Sequence, residues 1–144
     1  MENKNFLKLD NQLCFPLYAV SRQITQIYQP LLNELDITYP QYLALLTLWE
    51  NGTQTVNQIG EKLLLDSGTL TPLLKRLEQK EVVSRKRSSL DERVVEVSLT
   101  DKGNLLKEKV ECIPMKMFEK LGISVEEAET LKIILSKILN NKNK

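Results

Sequence analysis

Two cysteines, Cys14 and Cys112, are the side chains of this 144-residue chain best suited to covalent chemistry. Their separation of 98 positions fits neither a disulfide scaffold nor a CxxC metal site, so the expected chemistry is that of free thiols. The chain contains no histidine, the commonest general base and metal ligand and the usual partner of a nucleophilic serine or cysteine. Hydrolase chemistry is therefore not expected, and we predict no metal and no other cofactor.

Basic residues form a second candidate feature, between Lys75 and Arg93. Seven cations and four anions give this segment a net charge of +3, whereas the whole chain carries only +1. Local clustering of this kind, rather than bulk charge, can indicate a protein that binds nucleic acid. The cations are Lys75, Arg76, Lys80, Arg85, Lys86, Arg87 and Arg93.

The elements that must position these residues are mostly helical. Between Asp10 and Leu35, apolar residues recur at three- or four-residue steps, which predicts a long amphipathic first helix. Pro30 falls late in this helix and is expected to kink it or to begin a separate segment. Two C-terminal helices are also predicted; the first includes Cys112, and the second begins at a capping box at Ser124.

Three shorter helices are predicted between these ends. Capping boxes at Thr38 and Thr55 begin two of them, and the second is expected to bury Leu64 with the apolar residues before it. The third begins around Ser67, although Pro72 leaves open a start near Thr69. The second and third of these helices are separated by only a few residues.

The helix that begins near Ser67 has a leucine stripe for packing and a polar side suited to a major groove. Its polar residues are small or hydroxylated at the start and basic further on, as base and phosphate contacts require. A helix face that is simply solvated would show the same pattern. The candidate DNA contacts are Ser67, Gly68, Thr69, Thr71, Lys75 and Arg76.

A β-hairpin is predicted from two β-branched segments, 82–88 and 94–99, with a polar and charged tip between them. Such a hairpin can lay an arginine in the minor groove of DNA, and Asp91 is best placed to hold that arginine. An ordinary charged hairpin would contain the same residue types. The candidate DNA contacts on the hairpin are Arg85, Lys86, Arg87 and Arg93.

These segments together resemble the MarR family of transcriptional regulators over nearly the whole chain. The resemblance rests on the segment 65–78, on Asp91 and Arg93 at the hairpin tip, and on the Leu-Thr-x-x-Gly pattern at 99–103. It implies a winged helix-turn-helix fold, mostly α with a small β-wing. It also implies duplex DNA, in the form of a pseudo-palindromic operator, as the partner.

The same resemblance implies one domain over 1–144, with a winged DNA-binding core at about 36–99. The N- and C-terminal helices, at 10–35 and 101–141, would interlock two subunits into a homodimer. Independently of the resemblance, these helices carry more apolar surface than a small winged core can cover. The dimer would present two recognition helices and two wings.

Two further segments, 11–18 and 36–45, narrow the resemblance to the branch that senses organic hydroperoxides through a reactive cysteine. This implies that hydroperoxide oxidises Cys14, and that Tyr28 and Tyr39 of the other subunit hydrogen-bond to its sulfur. The protein would then be a repressor that leaves its operator on oxidation.

The chemistry of such a sensor is reasonable for Cys14. Peroxide attack needs a thiolate, which the positive potential in the first turn of a helix stabilises, and tyrosine hydroxyls can donate to it. Tyr28 lies about 21 Å farther along a straight helix, so the two side chains can meet only between subunits. Tyr18, one turn after Cys14, lines the same pocket or packs in the core. The alternative for Cys14 itself is a small, inert core residue.

Cys112 has two interpretations. A sulfenic acid at Cys14 either persists until a small thiol caps it or condenses with a second protein thiol. In the second case an intersubunit disulfide with Cys112 would move the helices that set the spacing of the recognition helices. Alternatively, Cys112 is an unreactive packing residue, since Cα atoms more than about 7 Å apart cannot be bridged without movement.

Three other functions remain open from the sequence. One is a repressor relieved by a small apolar or phenolic ligand; another is a thiol peroxidase, which the absence of histidine or nearby arginine around Cys14 disfavours. The third is an architectural DNA binder without an effector. Because the N-terminal residues do not resemble a signal peptide and no apolar run spans a bilayer, we expect a cytoplasmic protein.

Overall fold

The computed structural model describes residues 5–141. Residues 1–4 and 142–144, which the single-domain prediction included, lie outside the described residues. The described chain is mostly helical with a small three-stranded antiparallel sheet, which confirms the predicted fold class. It forms two compact units that divide after Glu111. None of the described helices is long and apolar enough to cross a membrane.

The first unit contains the sheet and the helices expected around it. Its elements are α1 (Cys14–Asn33), α2 (Tyr39–Asn51), β1 (Gln54–Thr55), α3 (Val56–Leu63), α4 (Ser67–Gln79), β2 (Val83–Arg87), β3 (Val95–Leu99) and α5 (Asp101–Val110). A short 3₁₀ turn, Leu9–Asn11, precedes α1. The second unit contains α6 (Ile113–Leu121) and α7 (Val125–Asn140).

The three predicted capping boxes are present. At the start of α2, the Thr38 hydroxyl accepts from the Gln41 amide and the Gln41 side chain accepts from the Thr38 amide, at 3.3 and 3.0 Å. Thr55 and Ser124 make the same reciprocal bonds at the starts of α3 and α7. These caps satisfy amides that have no intrahelical partner and so define where each helix begins.

Two prolines interrupt their helices less than the sequence suggests. The first helix begins at Cys14, four residues later than Asp10, and runs through Pro30 without dividing. The fourth helix begins at Ser67 and continues through Pro72. Of the alternatives that the sequence left open, a separate segment after Pro30 and a late start at Thr69 are therefore excluded. A proline removes one backbone bond, and the remaining bonds and packing of each helix outweigh that loss.

The C-terminal region departs from the prediction of two helices. Three helices follow the sheet, because the chain leaves helical hydrogen bonding between α5 and α6. Cys112 lies in this break as the N-cap residue of α6 rather than inside a helix, and Pro114 occupies the first turn that follows. The ring of Pro114 would clash with the carbonyl four residues earlier, which favours a new helix start at this point.

The core of the first unit is formed by leucines of α2 and α4 together with the central strand. The sheet order is β1-β3-β2, and Val97 in the middle of β3 is fully buried. The two-residue β1, which no sequence pattern predicted, pairs Gln54 with Val97. Leu64, expected in the core, is instead exposed, because it takes a left-handed conformation (φ 59°) at the end of α3.

The Leu-Thr-x-x-Gly pattern has a structural explanation at the start of α5. The Thr100 hydroxyl accepts from the Gly103 amide at 3.1 Å and donates to the Glu81 carbonyl at 2.6 Å. The Gly103 carbonyl accepts from the indole of Trp49 at 3.0 Å. A Cβ at position 103 would lie only 2.2 Å from the Val82 carbonyl oxygen. The pattern therefore joins the start of α5 to the turn that leads into β2.

We expect the substitution Gly103→Ala to lower the free energy of unfolding by about 2 kcal/mol, because the added methyl overlaps a backbone oxygen that cannot easily move. Urea denaturation followed by circular dichroism measures this change. Asn104→Ala, at an exposed position on the same helix, serves as the control and should change stability by less than about 0.5 kcal/mol. Equal stabilities of the two variants would contradict the proposed close contact.

Candidate DNA interface and thiol site

The turn between α3 and α4 is short and tightly packed. Three residues separate the helices, and the Asp66 carboxylate caps α4 by accepting from the Thr69 amide at 2.7 Å. This hydrogen bond lowers the pKa of Asp66. Gly60 permits the close approach of the helices, since a Cβ there would lie 2.7 Å from the Leu65 carbonyl oxygen. The two helices thus form a compact helix-turn-helix.

Helix α4 has the two faces predicted for a recognition helix. Leu70, Leu73, Leu74 and Leu77 are buried, so they fix the orientation of the helix in the unit. The predicted DNA contacts on its other side are exposed apart from Thr71, which is half-buried: Ser67, Gly68, Thr69, Lys75 and Arg76.

A cleft of about 230 Å³ lies between the start of α3, α4 and the wing. Its lining brings together three of the predicted DNA contacts, from two separate elements: Ser67, Thr71 and Arg93. Thr55, Asn57 and Val95 also line it. The recognition helix and the wing therefore meet around one concave surface, as simultaneous contact with neighbouring grooves requires.

At the wing tip, Asp91 holds Arg93 by three hydrogen bonds. The Asp91 carboxylate accepts from the Arg93 amide at 3.0 Å and from its guanidinium at two positions, each 3.2 Å away. The guanidinium lowers the pKa of the Asp91 carboxyl, which is therefore ionised at neutral pH. The Arg93 side chain is still 90% exposed. The predicted clamp is present, and it presents the cation to solvent in a fixed orientation.

The cations of the first strand differ in their surroundings. Lys86 and Arg87 are exposed, and the Arg87 guanidinium donates to the Glu92 carbonyl at 2.7 Å, which braces the tip. Arg85 has only 19% of its side chain exposed and forms a 3.2 Å ion pair with Glu78 of α4, whose carboxylate also accepts from the Arg85 amide. This placement favours a role for Arg85 in joining the wing to the recognition helix, rather than the direct DNA contact that was expected.

A cluster of tyrosines lies where α1 and α2 meet. The rings of Tyr28 and Tyr39 are 4.5 Å apart, and Tyr42 lies 5.8 Å from Tyr28 and 6.3 Å from Tyr39. Burial, reinforced by the neighbouring Tyr39 and Tyr42, raises the pKa of Tyr28 to about 12, and burial also raises the pKa of Tyr39 and Tyr42. Their hydroxyls therefore remain protonated at neutral pH and can act as hydrogen-bond donors.

The two thiols lie at exposed positions. Cys14 is exposed in the first turn of α1, and Cys112 is exposed at the N-cap of α6. The continuous helix α1 places Cys14 and Tyr28 about 21 Å apart along its axis, so the tyrosine cluster does not reach the thiol of its own chain. Tyr18 is 61% exposed and lies under the Arg22 guanidinium, 4.5 Å from the ring centre, rather than in a core.

Three residues around these sites were not predicted. Asn57 and Thr55 line the cleft between α4 and the wing, and Tyr42 completes the tyrosine cluster. The sequence signal available for Asn57 was its position in the first turn of α3, the helix that precedes α4. Tyr42 was assigned only to an apolar stripe, and its proximity to Tyr28 depends on how α1 crosses α2.

Comparisons with known proteins agree with this architecture. A family model described as transcriptional regulator SarA/Rot matches residues 26–110. The organic hydroperoxide resistance transcriptional regulator of Bacillus subtilis is 58% identical over 137 residues, which cover 94% of this chain and 91% of that protein.

Among solved structures, this chain is similar to AbfR of Staphylococcus epidermidis. Reduced AbfR bound to DNA is 40% identical with a TM-score of 0.77, and the match covers 98% of this chain and all of that chain. Overoxidized AbfR, also bound to DNA, is 43% identical with the same TM-score over 92% and 93% of the two chains. Disulfide-formed AbfR is 42% identical with a TM-score of 0.66 over 91% and 92%.

These matches cover nearly the whole chain, and they accompany a helix-turn-helix, a wing with an Asp91–Arg93 clamp and the Thr100–Gly103 junction. The relatives are transcriptional regulators rather than enzymes. The chain belongs to the MarR family of winged-helix DNA-binding transcriptional regulators, in the branch that includes the organic hydroperoxide resistance regulator.

Proposed function

We propose that the chain is a redox-sensing repressor. Its reduced homodimer binds a pseudo-palindromic operator in duplex DNA, and organic hydroperoxide releases that operator by oxidising Cys14. The observation that carries the proposal is the separation of an exposed thiol in the first turn of α1 from a cluster of protonated tyrosines, which Tyr28 near the other end of the same helix forms with residues of α2. Each half of the site needs the matching half of a second subunit.

The apolar surface of the first and last helices supports a homodimer. On α1, Phe15, Leu17 and Val20 are between 38% and 45% exposed, and on α7, Ile133 and Ile138 are 68% and 52% exposed. Apolar side chains left open on two helices represent a large cost in water, which a second copy removes. In such a dimer, Tyr28 and Tyr39 of one subunit hydrogen-bond to the Cys14 sulfur of its partner.

The chemistry begins with attack of the Cys14 thiolate on the terminal oxygen of the hydroperoxide. A new S–O bond forms as the O–O bond breaks, and the alkoxide leaves and takes up a proton to become an alcohol. Cys14 becomes a sulfenic acid and the hydroperoxide is reduced by two electrons. Tyr28 and Tyr39 donate hydrogen bonds to the sulfur and favour its charged form.

The second step forms a disulfide bond. The Cys112 thiolate of the other subunit attacks the sulfenic sulfur of Cys14, an S–S bond forms, and hydroxide leaves and is protonated to water. AbfR is similar in sequence and has been solved on DNA both reduced and overoxidized, as well as in a disulfide form. This supports a mechanism in which a covalent link between subunits, rather than the oxidised sulfur alone, alters the spacing of the two recognition helices.

The substitution Cys112→Ser tests this second step. With hydroperoxide alone, we expect the variant to require at least about tenfold more oxidant for operator release, since its sulfenic acid has no protein thiol to condense with. The measurement is a gel-shift titration at fixed salt with cumene hydroperoxide, since phosphate contacts make affinity depend steeply on salt.

Wild-type protein treated in parallel is the control for that titration. A Cys112→Ser variant that releases the operator as readily as wild type, without any added thiol, would contradict the disulfide step. It would leave oxidation of Cys14 itself as the signal.

A further inference from the structure

Leu90, at the tip of the wing, is the most exposed of the large apolar side chains in the described part of the chain. It is 96% exposed, whereas the leucines of α4 below the wing are almost fully buried. It lies in the loop between β2 and β3, directly before the Asp91–Arg93 clamp. A bare leucine at this position gives no stability to the unit that carries it.

The backbone around Leu90 is held on both sides. The Leu90 amide donates to the hydroxyl of the buried Ser88 at 3.2 Å, and the Ser88 amide donates to the Val94 carbonyl at 2.8 Å. On the other side, the Val94 amide donates to the Asp91 carbonyl at 3.0 Å. Leu90 therefore projects from an ordered turn, and little conformational entropy opposes its burial against a partner.

The surroundings of Leu90 indicate what that partner is. Arg93, three residues later, is 90% exposed, and the exposed Lys86 and Arg87 end the preceding strand β2. A tip that combines arginine with an isolated apolar side chain suits the minor groove of DNA, where arginine meets the negative potential and apolar side chains contact the walls or base steps.

We propose that Leu90 is a DNA contact that packs against deoxyribose in the minor groove beside Arg93. This inference rests on the proposed DNA-binding function and adds to it a part of the affinity that does not depend on charge. Burial of an apolar side chain releases no counterions, whereas each phosphate neutralised by a cation steepens the dependence on salt. The two contributions can therefore be separated in one experiment.

The experiment uses reduced protein and a duplex of about 30 base pairs, long enough for two half-sites, selected by the wild type from a random pool. Fluorescence anisotropy at several salt concentrations gives the Kd. We expect Leu90→Ser to weaken binding about tenfold at every salt concentration, because the dimer uses two wings, with the slope of log Kd against log salt unchanged. Leu90→Met should recover most of the affinity.

Leu7→Ser is the matched control, because Leu7 is 94% exposed and lies outside the wing. It should bind like the wild type. Unchanged affinity of Leu90→Ser would overturn the proposal, and so would a loss accompanied by a shallower salt slope, which would mean that the cations had been displaced. No hydroperoxide is present, so the result does not depend on the redox mechanism. If the wild type did not bind DNA, the selection would yield no duplex, which distinguishes that failure from failure of the Leu90 proposal.

Discussion

Replacement of Cys14 with serine is expected to leave operator binding by the reduced protein unchanged and to abolish its release by hydroperoxide. Serine nearly retains the size of the side chain and its position in the first turn of α1, but it has no sulfur for hydroperoxide to oxidise and cannot form a disulfide. We expect wild type to lose affinity by at least about 100-fold when oxidised, because a change in spacing removes one of two half-site contacts. Paired titrations with and without cumene hydroperoxide measure both quantities.

The reduced Cys14→Ser protein serves as the internal control, since equal Kd values for it and for reduced wild type show that the fold is retained. An oxidant-treated Cys14→Ser protein that still leaves the operator would contradict the assignment of Cys14 as the sensor. Release of this variant by a small phenolic ligand without oxidant would support the alternative of a ligand-relieved repressor.

The second large effect is expected for Arg93→Ala, which should weaken operator binding about 100-fold. The guanidinium is fixed by Asp91 and 90% exposed, so its orientation is organised before DNA arrives. A loss of about 1.4 kcal/mol at each of two wings gives a combined factor of about 100. The salt slope should also become shallower by about one charge per wing. Anisotropy titrations at several salt concentrations measure both changes.

Lys107→Ala is a suitable control for Arg93→Ala, because it also removes one exposed cation, from α5 rather than from α4 or the wing. We expect it to change Kd less than about twofold. Similar losses for the two variants would show that total charge, and not a positioned Arg93, determines the affinity.

Much of the helix-turn-helix and the wing could be predicted because the signals for these elements are local. The capping boxes at Thr38 and Thr55, the leucine stripe of α4 and the alternation of the hairpin all act over a few residues. The Asp91–Arg93 clamp joins residues two positions apart, so the place of Asp91 at the hairpin tip indicated that it holds an arginine there.

The features that were missed depend on contacts between distant parts of the chain. The two-residue β1 exists only because it pairs with β3, and Arg85 is withdrawn from solvent only because Glu78 of α4 meets it. The presence of Tyr42 in the tyrosine cluster likewise requires α1 and α2 to cross at Tyr28 and Tyr42. Residue types and their spacing along the chain do not determine which elements come into contact.

Of the two thiols, the position of one could be predicted from the sequence and that of the other could not. That Cys14 lies near the start of a helix followed from the periodicity, and the structure places it in the first turn. The position of Cys112 in a break between helices did not follow, because the apolar pattern continues across it and only Pro114 indicates a new start. For this second thiol, an exposed N-cap position is more consistent with reactivity than the helix interior that was expected.

The most direct test of the redox mechanism follows both the DNA and the sulfur in one sample. Operator release is recorded by fluorescence anisotropy while about one equivalent of cumene hydroperoxide per subunit is added, and quenched aliquots are analysed by mass spectrometry for the state of each cysteine. We predict that the released fraction rises in step with loss of the free Cys14 thiol and formation of its disulfide with Cys112, and that dithiothreitol reverses both. Operator that remains fully bound while Cys14 is quantitatively converted to that disulfide would contradict the mechanism.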